Sequence, residues 1–386
     1  MRDALAELPY EFVAALLVGG MEKLRPATGG EEYGVPLAGS LAEAVAAHEP
    51  EIVVDLSDEP VLGPRERLHL ASRVLAVGLP YVGADFRLEP PAFEPFELPS
   101  LAVIGTGKRV GKTAVTGHLA RLLAAQREVV VVSMGRGGPP EPELVEVPPT
   151  VETLLELSRA GRHAASDHLE TAALTGVPTI GCRRCGGGLA GATFVSNVLE
   201  GARLAAACTP DVVVFDSSGA AIPPIATDAR ILVAHDLESG LNPYRALISD
   251  LVLAMDEGVV EAAGMLGVPA LPFELRLRPA QPLAGRAVAV FTTGAAPLDH
   301  LDGVVFSSRN LADRDLLRRD LEEVDADVYL VELKAAAIDL VAETATARGA
   351  EVVFADNEVV APGLDDALLA LAELAVGAEA RDNLLR

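Results

Sequence analysis

Ten consecutive residues carry the clearest chemistry in this chain: Gly105, Thr106, Gly107, Lys108, Arg109, Val110, Gly111, Lys112, Thr113 and Ala114. They follow the apolar run 101–104, which reads as a buried strand, and they lead into an amphipathic stretch over 113–126 with Val115, Leu119, Leu122 and Leu123 on one side. Glycines let the backbone turn so that its N–H groups converge on phosphate oxygens. Lys112 brings a compact ammonium to the β and γ phosphates, and the Thr113 hydroxyl is placed to reach Mg²⁺. The helix N-terminus adds partial positive charge. Spacing departs from the common pattern, with five residues between Gly105 and the Gly111-Lys112 pair and three counted from Gly107. The order strand, loop, Lys-Thr, helix nevertheless predicts a site for a nucleoside triphosphate.

Other residues read as partners to that loop. The apolar run 212–216 ends in Asp216, the place where such proteins present a carboxylate to Mg²⁺. The run 129–133 leads into Gly135-Arg136-Gly137-Gly138, where Arg136 offers a planar fork for phosphate, with Glu141 a further candidate for metal. In the stretch 163–168 (HAASDH), a helical conformation would put His163 and Asp167 on one face and turn His168 elsewhere. The stretch 181–188 (GCRRCGGG) reads as a pliant loop offering Arg183 and Arg184 to an anion. Its cysteines lack the second pair that zinc would want.

Only four lysines occur, Lys23, Lys108, Lys112 and Lys334, while every other basic chain apart from histidine is arginine. Lysines kept against so strong a bias mark places that need a point charge. Two lie in the phosphate loop, so Lys23 and Lys334 are expected to face phosphate as well.

These residues need a scaffold. At 386 residues, half of them hydrophobic, the chain is long enough for two or three domains with real cores. The expected fold is α/β: a parallel-sheet P-loop core flanked by two smaller α/β domains. Strands are expected at 12–18, 52–56 and 81–82, with a helix over 41–47, in a first domain spanning 1–88. A Pro-rich linker covers 89–99. The core, 100–279, holds strands at 101–104, 129–133, 212–216, 231–234 and 251–254. A last domain, 282–386, holds strands at 288–292, 304–307, 328–331 and 352–355. The net charge of −25 argues against binding nucleic acid or an anionic membrane. Three cysteines, no leader-like segment and no apolar run of spanning length point to a reducing cytoplasm.

The shape of the phosphate loop resembles that of dethiobiotin synthetase and related dimeric P-loop ATPases. Over nearly its whole length the chain resembles the cyclic 2,3-diphosphoglycerate synthetase family. The matching stretches are GGMEKLR, VVDLSDEPV, YVGADF, IGTGKRVGKTAV, SMGRGGPPEPE, GRHAASDH, GCRRCGGG, SSGAAIPP, VELKAAAIDL and FADN. That resemblance implies an ATP- and Mg²⁺-dependent ligase, dimeric in build, that closes a phosphoanhydride within 2,3-diphosphoglycerate and releases ADP and phosphate. Lys108, Lys112, Arg136, Arg183, Arg184 and Lys334 would then serve the chemistry. Lys23, His163, Asp167 and His168 would join the last four of those at the substrate, and Thr113, Asp216 and Glu141 would hold the metal. Two departures stand out. The family pattern opens with a strand and an acidic, His-containing loop ahead of Arg2-Asp3-Ala4-Leu5, so the first domain is expected to be shortened. Asp216 also stands where the family has glutamate, which shortens the arm that reaches metal. The competing readings are another ligase related to dethiobiotin synthetase, or a nucleotide-switched binding or metal-delivery protein.

Overall fold

The computed structural model describes residues 5–18, 34–59, 61–283 and 285–385. Two compact units emerge: residues 1–91 with 236–248, and residues 92–235 with 249–386.

The first unit is built from short strands. β1 (Ala15–Leu16) pairs in parallel with β2 (Leu37–Ala38), and β3 (Val53–Val54) pairs with β4 (Tyr81–Val82), which pairs antiparallel with β5 (Arg87–Leu88). The expected runs 12–18 and 52–56 thus yield two paired residues each. Helix α1 (Leu41–His48) opens on Ser40, whose hydroxyl accepts from the Glu43 amide. Helix α2 (Pro64–Ala76) starts with proline, whose missing N–H costs nothing there. The segment 236–248, which includes the helix Asn242–Leu247, belongs to this unit although it lies far along the chain.

The second unit is organised by a nine-stranded sheet. Its strands are β6 (Ser100–Gly105), β7 (Val129–Gly135), β8 (Glu143–Val145), β9 (Thr179–Cys185), β10 (Val195–Ser196), β11 (Val212–Asp216), β12 (Ala229–Ala234), β13 (Leu251–Ala254) and β14 (Ala270–Pro272). The order is β10-β9-β7-β11-β6-β12-β13-β14, parallel except for β10, with β8 added antiparallel to β9. Central strands covered on both faces read as unbroken Val/Ile runs, which is why β6, β7 and β11 are legible in the sequence. The stretch 181–185, expected to be loop, is instead the end of β9. Its neighbours Thr179 and Ile180 supply the strand propensity, and the glycines that suggested a loop begin only at Gly186.

A five-stranded sheet follows, ordered β15 (Glu274–Pro279), β19 (Glu351–Val360), β18 (Val328–Glu332), β16 (Val288–Phe291) and β17 (Val304–Ser308). β15, counted with the core in the sequence reading, is an antiparallel edge of this sheet. Its alternation buries Leu277 and leaves Arg276 and Arg278 outward. The closing helix Leu364–Leu385 returns to the large sheet, where Leu364, Leu368 and Ala372 join the same core as Leu101, Val115 and Ile231. A second core knits Leu154, Leu155 and Leu169 to Phe291, Tyr329, Val331 and Leu333. That seam ties the end of β18 to the helices beside the phosphate loop. Among the described residues no helix is long and apolar enough to cross a membrane.

Candidate active site

The C-terminal ends of β6, β7, β9 and β11 open onto one cavity of about 300 Å³. In a parallel sheet that edge is where ligands settle. Helix α3 (Lys112–Ala124) starts there, so its free N–H groups face the space. Gly111 sits at φ 97° and Arg109 at φ 60°, a left-handed pair of turns that wraps the loop. The Lys112 side chain folds back along the loop, and its Nζ donates to the Gly107 carbonyl at 2.6 Å. Thr106 is tied at 2.7 Å to His235 and braces the loop from behind. Gly105, Val110 and Ala114 likewise shape the loop. The side of it that reaches the cavity is Lys108, Arg109, Lys112 and Thr113.

Arg136, His163, Asp167, His168, Asp216 and Lys334 line the same space. They come from the loop after β7, from the segment before helix α5 (Asp167–Thr175) and its first two residues, from the end of β11 and from the turn after β18. The HAASDH stretch is not one helix. Gly161 at φ 73° closes helix α4 (Val151–Arg159), residues 163–166 are extended or bent, and α5 begins at Asp167. His163 and Asp167 therefore meet at the cavity without sharing a helical face. His168 is buried, with its ring lying on the Gly181 backbone, where a Cβ would come within 2.6 Å of the ring.

Three expected residues stand elsewhere. The pleat of β9 sends its neighbouring side chains to opposite faces, leaving Arg183 exposed while Arg184 is buried. The Arg184 guanidinium donates to the Gly186 carbonyl at 2.6 Å and the Ser218 carbonyl at 2.8 Å. It stands one layer behind the cavity, supporting the Ser217-Ser218-Gly219 turn that lines it. Glu141 is exposed on the loop after Arg136 and outside the lining; among the described residues the carboxylates that face the cavity are Asp216 and Asp167. Lys23 lies outside the described residues.

Fixed charges of both signs line the cavity. Burial pushes the Lys112 ammonium below its ordinary value, against the pull of Asp216 and Asp167. Burial lifts Asp216 to about 7, with Asp167 adding to the rise and Lys112 opposing it. Thr116 donates to Asp216 Oδ1 at 3.0 Å. The hydroxyls of Ser133, Ser166 and Ser217 line the cavity, are buried, and have no partner among the described residues. Buried polar atoms left single in this way point to a ligand that completes them. Replacing Ser133 with Ala is thus expected to leave the empty protein as stable or about 1 kcal/mol more stable in urea unfolding, while ATP affinity falls. A stability loss with unchanged ATP affinity would give Ser133 a purely structural role.

Sequence reasoning missed Glu170. Its carboxylate meets Lys334 Nζ at 3.1 Å, and it is 5% exposed. Nothing local announces it, because it resembles any acidic residue in the first turn of a helix. Lys334 itself leaves β18 on a tight turn: its amide donates to the Glu332 carbonyl at 2.7 Å, and Ala335 sits at φ 46°. The Glu332 carboxylate accepts from the Thr293 amide, the Thr293 hydroxyl and Asn357 Nδ2 at 2.7, 3.0 and 3.0 Å. A π-helical turn, Ala337–Ala342, follows directly. Such turns gather at functional sites.

Family patterns match the chain in three pieces: the cyclic 2,3-diphosphoglycerate synthetase N-terminal domain over residues 1–89, the P-loop domain over 100–263 and the C-terminal domain over 279–358. The cyclic 2,3-diphosphoglycerate synthetase of Rubrobacter xylanophilus is 48% identical over 416 residues, covering 97% of this chain and 93% of that protein. Those of Thermococcus kodakarensis and Methanothermus fervidus are 40% and 36% identical, covering 90% and 95% of this chain and 88% and 91% of theirs. Among solved structures, the "apo" form of LpxK from Aquifex aeolicus in complex with ATP has 16% identity and a TM-score of 0.47, covering 73% of this chain and 90% of that chain. The chain belongs to the cyclic 2,3-diphosphoglycerate synthetase family.

Proposed function

We propose that this protein uses ATP to close the intramolecular phosphoanhydride of 2,3-diphosphoglycerate, releasing ADP and inorganic phosphate. The observation that carries the reading is one cavity lined by Lys108, Arg109, Lys112, Arg136 and Lys334 in a chain whose net charge is −25. A surface so acidic repels polyanions unless fixed cations are gathered at one place. Drawing two phosphates of one small molecule together costs several kcal/mol even at an effective dielectric near 20, and these cations offset that cost.

Mg²⁺ fits the residues present. Asp216 and Asp167 supply carboxylates, and Thr113 and the unpartnered Ser217 supply hydroxyls. Among the described residues no cluster of three or more His, Cys, Asp or Glu forms a closed metal cage. Mg²⁺ commonly takes one or two carboxylates, leaving the remaining positions to water and phosphate. When bound it would neutralise charge on the phosphate oxygens. Asp216 is shorter than the glutamate of the family pattern and so favours a contact through water.

The chain's own residues then position the reactants. The phosphate loop and Lys112 hold the β and γ phosphates of ATP, while Arg136 and Lys334 hold the substrate phosphates. His163 lies at the same wall. One substrate phosphate oxygen attacks the γ phosphorus, the bond to the ADP oxygen breaks, and ADP leaves. An oxygen of the second substrate phosphate then attacks the phosphorus so activated. The bond to the transferred phosphoryl breaks, inorganic phosphate departs and the ring closes. Little proton transfer is involved, so positioning and charge stabilisation dominate. Oxygen-18 placed in the substrate phosphates tests the order. The label is expected in the released inorganic phosphate, at the oxygen that bridged to the transferred phosphoryl. Label confined to the cyclic product would rule out this two-step route. The free cysteines suit a reducing cytoplasm, and we read the working form as a homodimer, testable by light scattering.

A further inference from the structure

We propose that Glu170 is the positioning residue of the substrate end of the cavity: it serves as the resident counterion of Lys334, and a substrate phosphate displaces it. This deepens the reading above and rests on it.

Lys334 is half-buried at the cavity wall, on a backbone turn held by Glu332, Thr293 and Asn357 and strained at Ala335. Its side chain has little freedom to seek water, and the wall it occupies also carries Lys112 and Arg136. A cation so placed needs a counterion when no anion is bound, and Glu170 supplies it at 3.1 Å. Glu170 reaches Lys334 from the first turn of α5, across the apolar seam of Leu169 with Val331 and Leu333. The pair therefore fixes the lysine from a second element, independently of the β18 turn.

The carboxylate is held in an unfavourable place. The charged groups acting on it are Lys334, Asp167 on its own helix and Glu332 at the end of β18. Charged chains on the other elements packed against α5 are engaged elsewhere. Arg121 of α3 meets Asp356, Glu143 of β8 meets Arg162, Arg184 of β9 meets Ser218, and Lys112 meets Gly107. Burial lifts Glu170 to about 7 against the pull of Lys334, whose ammonium Glu170 in turn stabilises. One ammonium balances one unit of charge, whereas a phosphate monoester brings up to two. When a phosphate takes Lys334, Glu170 is left beside Asp167 and Glu332 with no cation, and the carboxylate takes up a proton from solvent.

The sign follows directly. Above pH 7 the empty protein carries Glu170 as carboxylate and the complex carries it as acid, so binding absorbs a proton and weakens as pH rises. Calorimetry of 2,3-diphosphoglycerate binding at pH 8, in buffers of different ionisation enthalpy, is expected to show uptake of about one proton in the wild type. E170Q is expected to show none, to lose the rise of KM with pH (up to about tenfold per unit above 7 in the wild type), and to keep its ATP affinity. E170D is expected to retain the uptake. K334Q offers a second route if E170Q does not fold: without Lys334 the carboxyl is already protonated, so uptake disappears. Wild-type uptake preserved in E170Q, or in K334Q, would overturn the inference while leaving the ligase reading intact. A wild type that neither binds nor turns over 2,3-diphosphoglycerate would instead overturn that reading.

Discussion

Lys334→Met is expected to lower kcat/KM for 2,3-diphosphoglycerate by about 10²- to 10³-fold while changing the Kd for ATP only a few-fold. Removing one member of a buried charge pair costs about 2–5 kcal/mol, which is about 30- to 5,000-fold, and the expected factor lies in the middle of that range. The loss falls on the substrate because Lys334 reaches the cavity from the turn after β18, whereas the ATP phosphates are held by the loop between β6 and α3. The fold is expected to survive. Glu170, lifted to about 7 with its partner present, becomes neutral at physiological pH once the lysine is gone, so no bare charge stays buried. Steady-state kinetics with each substrate varied in turn, alongside ATP titration, separates the two effects. Equal damage to ATP binding would show that Lys334 belongs to the nucleotide end.

Gly138→Ala is expected to cost about 10²-fold in kcat. A Cβ on Gly138 would lie 2.0 Å from the Cys182 carbonyl oxygen, 2.5 Å from its carbon and 3.0 Å from Arg183 Cα. Those are backbone atoms of β9, held by its pairing with β7 at these two residues, so the loop must give way. That loop carries Arg136, and displacement of about 1 Å at a positioning group costs about this factor. Overpacking is also expected to remove about 1–3 kcal/mol of stability. Gly137→Ala is the control: a Cβ there meets nothing within 4 Å, and turnover is expected to stay within about threefold. If both alanine variants behave alike, close approach of the loop to β9 is not what places Arg136.

How much of this was legible in the sequence depends on how local each signal is. The phosphate loop is written in consecutive residues, and an apolar run before it and a helical period after it fix its setting. Asp216 was legible for the same reason, as a polar end to a Val-rich strand. Lys334 could be singled out by composition: a chain that avoids lysine keeps it at the cavity wall. The role of Glu170 depends on packing between α5 and the turn after β18, more than 160 residues later, and no local pattern encodes that. The Arg183-Arg184 pair was misread because adjacent glycines suggested a loop. As a strand, the pair is split by the pleat, one side chain buried and one exposed. β15 was not singled out as a strand, because its partner, β19, lies far along the chain and strand pairing is a long-range choice.

The most direct measurement incubates the wild-type protein with ATP, Mg²⁺ and 2,3-diphosphoglycerate, following ADP and phosphate release and the product by phosphorus NMR and mass. Equimolar ADP, phosphate and a product lighter than the substrate by one water, all dependent on 2,3-diphosphoglycerate, is the expected result. ADP release at the same rate without 2,3-diphosphoglycerate, or a phosphorylated product heavier than the substrate, would contradict ring closure at this cavity.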